Sequence, residues 1–276
     1  MQHIAATDAW GAARTLASMR ERVMGVVRRT RVLSGARRAW AMLRADPADA
    51  LRRLTRHPYY WLKHLPDRRR YRRQHAAVAA ENAAFDRRWG TDTAASRALG
   101  SLAIPEGAWA HGVQYECIGE RDFARAMAVV QDDLRAYTFV DIGAGKGKAL
   151  LLAAQHPFAR VIGVEFAPEL VRVARTNVAT YTNARDDLAC RDVDIVCADA
   201  LAYELPQAPL VLYLFNPFDA MVMRPFVERV QAWRERTNQR LWVLYVNPQC
   251  RFLFDALPWL ERVRDERALV VYRASG

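Results

Sequence analysis

A chain of 276 residues with 52% hydrophobic content can bury a core of ordinary domain size, which excludes a disordered protein. The net charge of +11 is concentrated at one end: residues 1–90 hold 20 Lys and Arg against 7 Asp and Glu, whereas residues 91–276 hold 21 against 23. Cys117, Cys190, Cys197 and Cys250 share no CxxC spacing and no partnering histidines, so the pattern gives no support for a zinc site or redox pair and suits a reducing, cytoplasmic setting.

The opening MQHIAATDAW has no basic stretch leading into a long apolar run, and no window holds the ~18 apolar residues that span a bilayer, so the expectation is a soluble protein. From Asp8 to about Arg44, the apolar residues Trp10, Ala13, Leu16, Val23, Val26 and Val27 recur by threes and fours among arginines, which predicts a basic amphipathic helix. Pro47 opens a short helix, ADALRRLTRH, and Pro58 closes it. Tyr59, Tyr60 and Trp61 then lead through Pro66 into a further helical stretch, DRRRYRRQHAAVAAENAAFDRRW. Three readings of this basic end stand side by side: a face for nucleic-acid phosphates, an interfacial segment on anionic lipid, and a solvated helical cap.

Past Gly90 the texture changes. A loop-like stretch precedes a helix over RDFARAMAVVQDDLRA, and then apolar runs alternate with helical ones: YTFVDI, VIGVEF, VDIVCAD, PLVLYLF and RLWVLYV. Helices are expected over Lys148–His156, Pro168–Thr180 and Ala220–Arg234. Such alternation predicts an α/β fold, a parallel sheet with helices on both faces. LERVRDERALVVYRA reads as strand, tight Asp-Glu turn and strand, adding an antiparallel edge.

The stretch VDIGAGKGKAL sets Gly143, Gly145 and Gly147 behind Asp141 at the end of the first strand, the edge where open α/β sheets bind ligands. A phosphate-binding Walker loop fails twice here, because Ile142 and Ala149 stand where a Gly and a Ser or Thr are needed. The dinucleotide pattern GxGxxG fails at Lys148. Lys146 and Lys148 are expected to face solvent.

With those alternatives gone, VDIGAGKGK resembles the first motif of class I S-adenosylmethionine-dependent methyltransferases. The resemblance spans about residues 110 to 276. It implies a Rossmann-like fold of seven mostly parallel strands, with S-adenosyl-L-methionine as cofactor and no metal. Asp141, Gly143, Ala144 and Gly145 match the glycine motif, in which the acid reaches the methionine ammonium. Glu165 ends VIGVE eighteen residues past Gly147, where the family's acid grips the ribose hydroxyls. Phe166 beside it is placed to pack on adenine, and Asp199 with Ala200, after the third strand, match the position that reads the adenine amino group. Asn216-Pro217-Phe218 resembles a shortened Asn-Pro-Pro-aromatic motif of amino-group methyltransferases, which implies an acceptor pocket with a nitrogen target. Tyr115 resembles the tyrosine of a lead-in that closes over the cofactor.

The resulting expectation is a basic α-helical extension over residues 1–84 and a methyltransferase domain over 85–276. Its acceptor is a protein or small molecule rather than nucleic acid, and the basic helices contact an anionic surface. A non-catalytic nucleic-acid or membrane-surface module built on those helices is the alternative.

Overall fold

The computed structural model describes residues 68–94 and 117–275, so the helices expected before Arg68 and the lead-in residue Tyr115 lie outside the described residues. The chain divides into two compact units, 1–72 and 73–276. The sheet belongs to the second.

Helix α1 (Arg68–Trp89) buries Asn82 and Phe85 one turn apart, and Phe85 stacks on Tyr181 at 5.5 Å between ring centroids. Gly90, at φ +70°, closes the helix by returning its N–H to the Asp86 carbonyl. Next come α2 (Glu120–Met127), β1 (Thr138–Ile142), α3 (Lys148–Ala153), β2 (Arg160–Glu165), α4 (Pro168–Asn183) and β3 (Val193–Cys197). The remainder is β4 (Leu210–Phe215), α5 (Ala220–Thr237), β5 (Leu241–Val246), α6 (Arg251–Asp255), β6 (Glu261–Asp265) and β7 (Leu269–Ala274).

All seven strands form one sheet in the order β3-β2-β1-β4-β5-β7-β6. Strands β1 to β5 run parallel, and β7 is antiparallel to both β5 and β6. Every residue of β1 is buried, as are the first five of β4 and of β5, because helices cover both faces. One face joins Phe139, Tyr213 and Leu244 to Phe85 of α1, Phe123 of α2 and the leucines of α3. The other joins Val140, Leu212 and Val243 to Phe226 and Trp233 of α5. This is the expected Rossmann-like architecture, with the antiparallel pair at its edge.

One expected element breaks. The helix read over Arg121 to Ala136 stops at Met127, and only a short 3₁₀ turn, Leu134–Ala136, follows. The acids between them have other partners: the Asp133 side chain accepts from the Arg135 N–H, and Asp132 accepts from the Tyr137 hydroxyl and from Trp242 Nε1 at 3.3 Å. Carboxylates that bond nearby backbone or distant side chains compete with helix continuation. The short helix α6 was not anticipated; at five residues it is too brief for periodicity to show.

The chain enters the sheet at its middle, winds outward through β2 and β3, then returns to place β4 on the other side of β1. Connections leaving β1 and β4 therefore diverge, which opens a crevice beyond their carboxyl ends.

Candidate functional site

The turn between β1 and α3 lies in that crevice. Gly143 and Ala144 donate to the Val164 carbonyl at 2.9 and 3.0 Å, which lays the turn over the end of β2. Gly163 makes this approach feasible: a Cβ there would stand 2.7 Å from Leu150 Cδ1 and 2.9 Å from Ala144 Cβ. Sequence reading had not singled out that glycine. Gly143 serves the opposite side, at φ +78° with room for a Cβ only 2.8 Å from Pro217 Cβ. The glycine turn thus touches the Asn216-Pro217-Phe218 segment directly.

Glu165 is the hub. Its Oε2 accepts from the Gly145 N–H and its Oε1 from the Ala167 N–H, each at 2.9 Å, and the residue is 4% exposed. Burial raises its pKa, and the backbone bonds from Ala167, Gly145 and Phe166 oppose that rise. Three backbone bonds leave the carboxylate about one lone-pair site for a ligand. One strand over, the Ala198 N–H donates to the Glu165 carbonyl, which sets Asp199 beside the hub; Asp199 is exposed and its Oδ1 accepts from Leu201 N–H at 2.8 Å. Ala200 is buried behind it, and Phe166 is half-buried.

Asp141 is buried at the end of β1. Burial, and then the neighbouring Glu165 charge, push its carboxyl up to about 8. Asn216 caps β4 at φ +43°, a left-handed conformation that asparagine tolerates, with its amide buried. Its Oδ1 accepts from the Tyr245 hydroxyl at 3.5 Å, and that hydroxyl accepts from Cys250 N–H at 3.2 Å.

The two lysines correct the expectation of solvent-facing side chains. Lys146 is fully buried and its ammonium lies 2.8 Å from Asp92 Oδ1, while Lys148 is 2% exposed. In an arginine-rich chain, two of only three lysines flank Gly147; that contrast was the available signal. A small cleft is lined by Asp141, Gly143, Lys148, Tyr213 and Phe215 among others. Tyr213 also escaped the sequence reading, because strand periodicity shows it only as core.

The residues present suit a cationic nucleoside ligand. A carboxylate that accepts from the glycine turn has a second carboxylate beside it, and a third, Asp141, is buried at the end of β1. Residues 140–236 match the sequence model of a methyltransferase domain. The chain carries a methyltransferase domain over these residues, and the protein is a methyltransferase. No curated protein matches the sequence.

Among solved structures, the methyltransferase is similar to an RNA methyltransferase from Salinibacter ruber in complex with S-adenosyl-L-homocysteine, at 17% identity over 58% of this chain and 92% of that one, with a TM-score of 0.39. It is also similar to a ribosomal protein L11 methylase from Lactobacillus delbrueckii subsp. bulgaricus, at 16% identity over 57% and 80% of the two chains, with a TM-score of 0.41. A predicted N6-adenine-specific DNA methylase from Listeria monocytogenes gives 12% identity, coverage of 58% and 51%, and a TM-score of 0.44. Among the described residues, no helix is long and apolar enough to cross a membrane, and no three His, Cys, Asp or Glu side chains gather as for a metal ion.

Proposed function

We propose that the methyltransferase holds S-adenosylmethionine across the carboxyl ends of β1, β2 and β3 and passes its methyl group to a nitrogen nucleophile at Asn216-Pro217-Phe218. The observation that carries this reading is the hydrogen bond from Gly145 N–H to Glu165, which brings the acid and the glycine turn into one surface. Glu165 accepts from the ribose hydroxyls at the acceptor site the backbone leaves open, and ionised acceptors make the stronger hydrogen bonds. Asp199 accepts from the adenine amino group, with Phe166 and Ala200 beside the ring. Asp141 receives the methionyl ammonium, and Gly143, Ala144 and Gly145 let the ligand lie against the main chain.

When bound, the cofactor supplies an electrophilic methyl group. The protein contributes alignment and exclusion of water, since an in-line displacement needs little other chemistry. The close approach of Gly143 and Pro217 supports an acceptor segment beside the cofactor turn, where Asn216 orients the nucleophile by accepting from its N–H. The acceptor is a protein or small molecule. Incubation with methyl-labelled S-adenosylmethionine and fractionated cell extract tests this: label in protein or small amines supports the reading, and label confined to nucleic acid or to oxygen nucleophiles overturns the acceptor assignment.

The basic extension, residues 1–84, serves the 85–276 domain by contacting an anionic surface; the charge excess within residues 1–90 supports it. Binding of the full chain to anionic vesicles and to RNA at two salt concentrations tests this, with salt-insensitive or absent binding counting against it.

A further inference from the structure

Lys148 opens α3 with its side chain buried, and its Nζ has no hydrogen-bond partner among the described residues. The ammonium lies over the Phe85 ring, 2.9 Å from its centroid. A ring face attracts a cation but satisfies none of its three N–H donors in the manner of an oxygen. Burial draws its pKa down to about 8, against the pull of Cys117, Glu120, Asp86 and Glu81. In the same cleft, the hydroxyl of Tyr213 is likewise buried without a hydrogen-bond partner among the described residues. Tyr213 on β4 stands in register with Asp141 on β1, and residues paired in this way point to the same face of a parallel sheet. Asp141, Tyr213 and Lys148 therefore line one cleft beside Gly143.

The cleft offers one acid that calls for a cation and two donors that lack an acceptor. A group with an ammonium and a carboxylate on the same carbon, an α-amino acid terminus, complements all three. Leaving both donors buried and unpaired is costly, whereas an anionic oxygen satisfies them together.

Resting on the cofactor-site reading above, we infer that Lys148, helped by Tyr213, receives the carboxylate of the cofactor's methionyl end and makes the methyltransferase discriminate the intact amino acid from nucleosides that lack it. Lys148 is thus a specificity-determining binding residue, and the loop's second lysine has a different task from Lys146, which is already paired with Asp92.

The test is calorimetric titration of wild-type protein, Lys148→Met, Lys148→Arg and Tyr213→Phe with S-adenosylhomocysteine and with its decarboxylated analogue, which keeps the amine. Wild type is expected to prefer S-adenosylhomocysteine by at least tenfold. Lys148→Met loses most of that preference, Lys148→Arg retains part of it, and Tyr213→Phe lowers it several-fold. If Lys148→Met weakens both ligands equally, or neither, the inference is overturned while the cofactor site stands. A wild type that binds neither ligand overturns the cofactor-site reading and this inference with it.

Discussion

The ammonium of Lys146 and the carboxylate of Asp92 meet at 2.8 Å across 54 residues of chain, and they fasten the glycine turn to the segment that follows α1. Asn177 of α4 doubles the tie, donating to the carbonyls of Lys146 and Asp92 and accepting from the Asp92 N–H. Asp86 holds the other end of the segment, accepting from Thr91, Thr93 and the Ala94 N–H. The glycine turn is thereby held from outside by Asp92, Asn177 and Asp86.

Asp92→Ala leaves a fully buried ammonium without its anion. The expected loss is ~1–3 kcal/mol of stability, at the lower end because the Asp92 side chain is 54% exposed. Urea unfolding with an unchanged slope and a lowered midpoint is the expected result. Lys146→Met in the same background should restore much of the loss, since it removes the orphaned charge. A midpoint equal to wild type in Asp92→Ala would show that the tie contributes nothing.

Glu165→Ala should weaken S-adenosylhomocysteine binding by one to two orders of magnitude, matching the ~1.5–3 kcal/mol of hydrogen bonds to a charged group. It also strips the Gly145 and Ala167 N–H groups of their acceptor, so a lower melting temperature accompanies the change. Calorimetry below the melting temperature separates the two effects, and an unaltered dissociation constant removes Glu165 from the binding site.

Asp141 gives the protein a definite pH signature. Its folded pKa, near 8, stands above the unfolded value of 3.8, so the native state holds the proton more tightly. The stabilisation from this proton is complete below pH 4 and is lost as pH rises through about 8. Asp141→Asn should therefore melt with a smaller decline between pH 5 and pH 8.5 than wild type. Binding of a cationic ligand favours the ionised form, so S-adenosylhomocysteine affinity should increase from pH 6 to pH 8 with proton release, and Asp141→Asn should abolish that increase. Calorimetry in two buffers of different ionisation enthalpy counts the proton.

Gly143→Ala combines two penalties, a left-handed backbone at φ +78° and a methyl group 2.8 Å from Pro217 Cβ. A cost of ~1–3 kcal/mol is expected from the backbone alone. Because the displaced neighbour belongs to the proposed acceptor segment, methyl transfer should decline more than cofactor affinity. Equal declines in kcat/KM and in binding would place the disturbance in the cofactor turn instead.

The chain's alternation of apolar strands and helical runs fixed the sheet and its antiparallel edge, since local period decides which conformation buries a segment. Glycines behind a strand-ending acid, with further acids closing the next two strands, marked the crevice before any coordinate existed. Packing alone decided the rest. Nothing local distinguishes a buried lysine from a solvated one, and Lys146 and Lys148 acquired their surroundings from Asp92 and Phe85, each more than fifty positions away. Tyr213 met Asp141 only through strand register, and the helix expected past Met127 ended because Asp132 found partners at Tyr137 and Trp242. Sequence determines where a residue lies along its own element, whereas its neighbours from other elements, and hence its charge state and chemistry, are settled by how those elements pack.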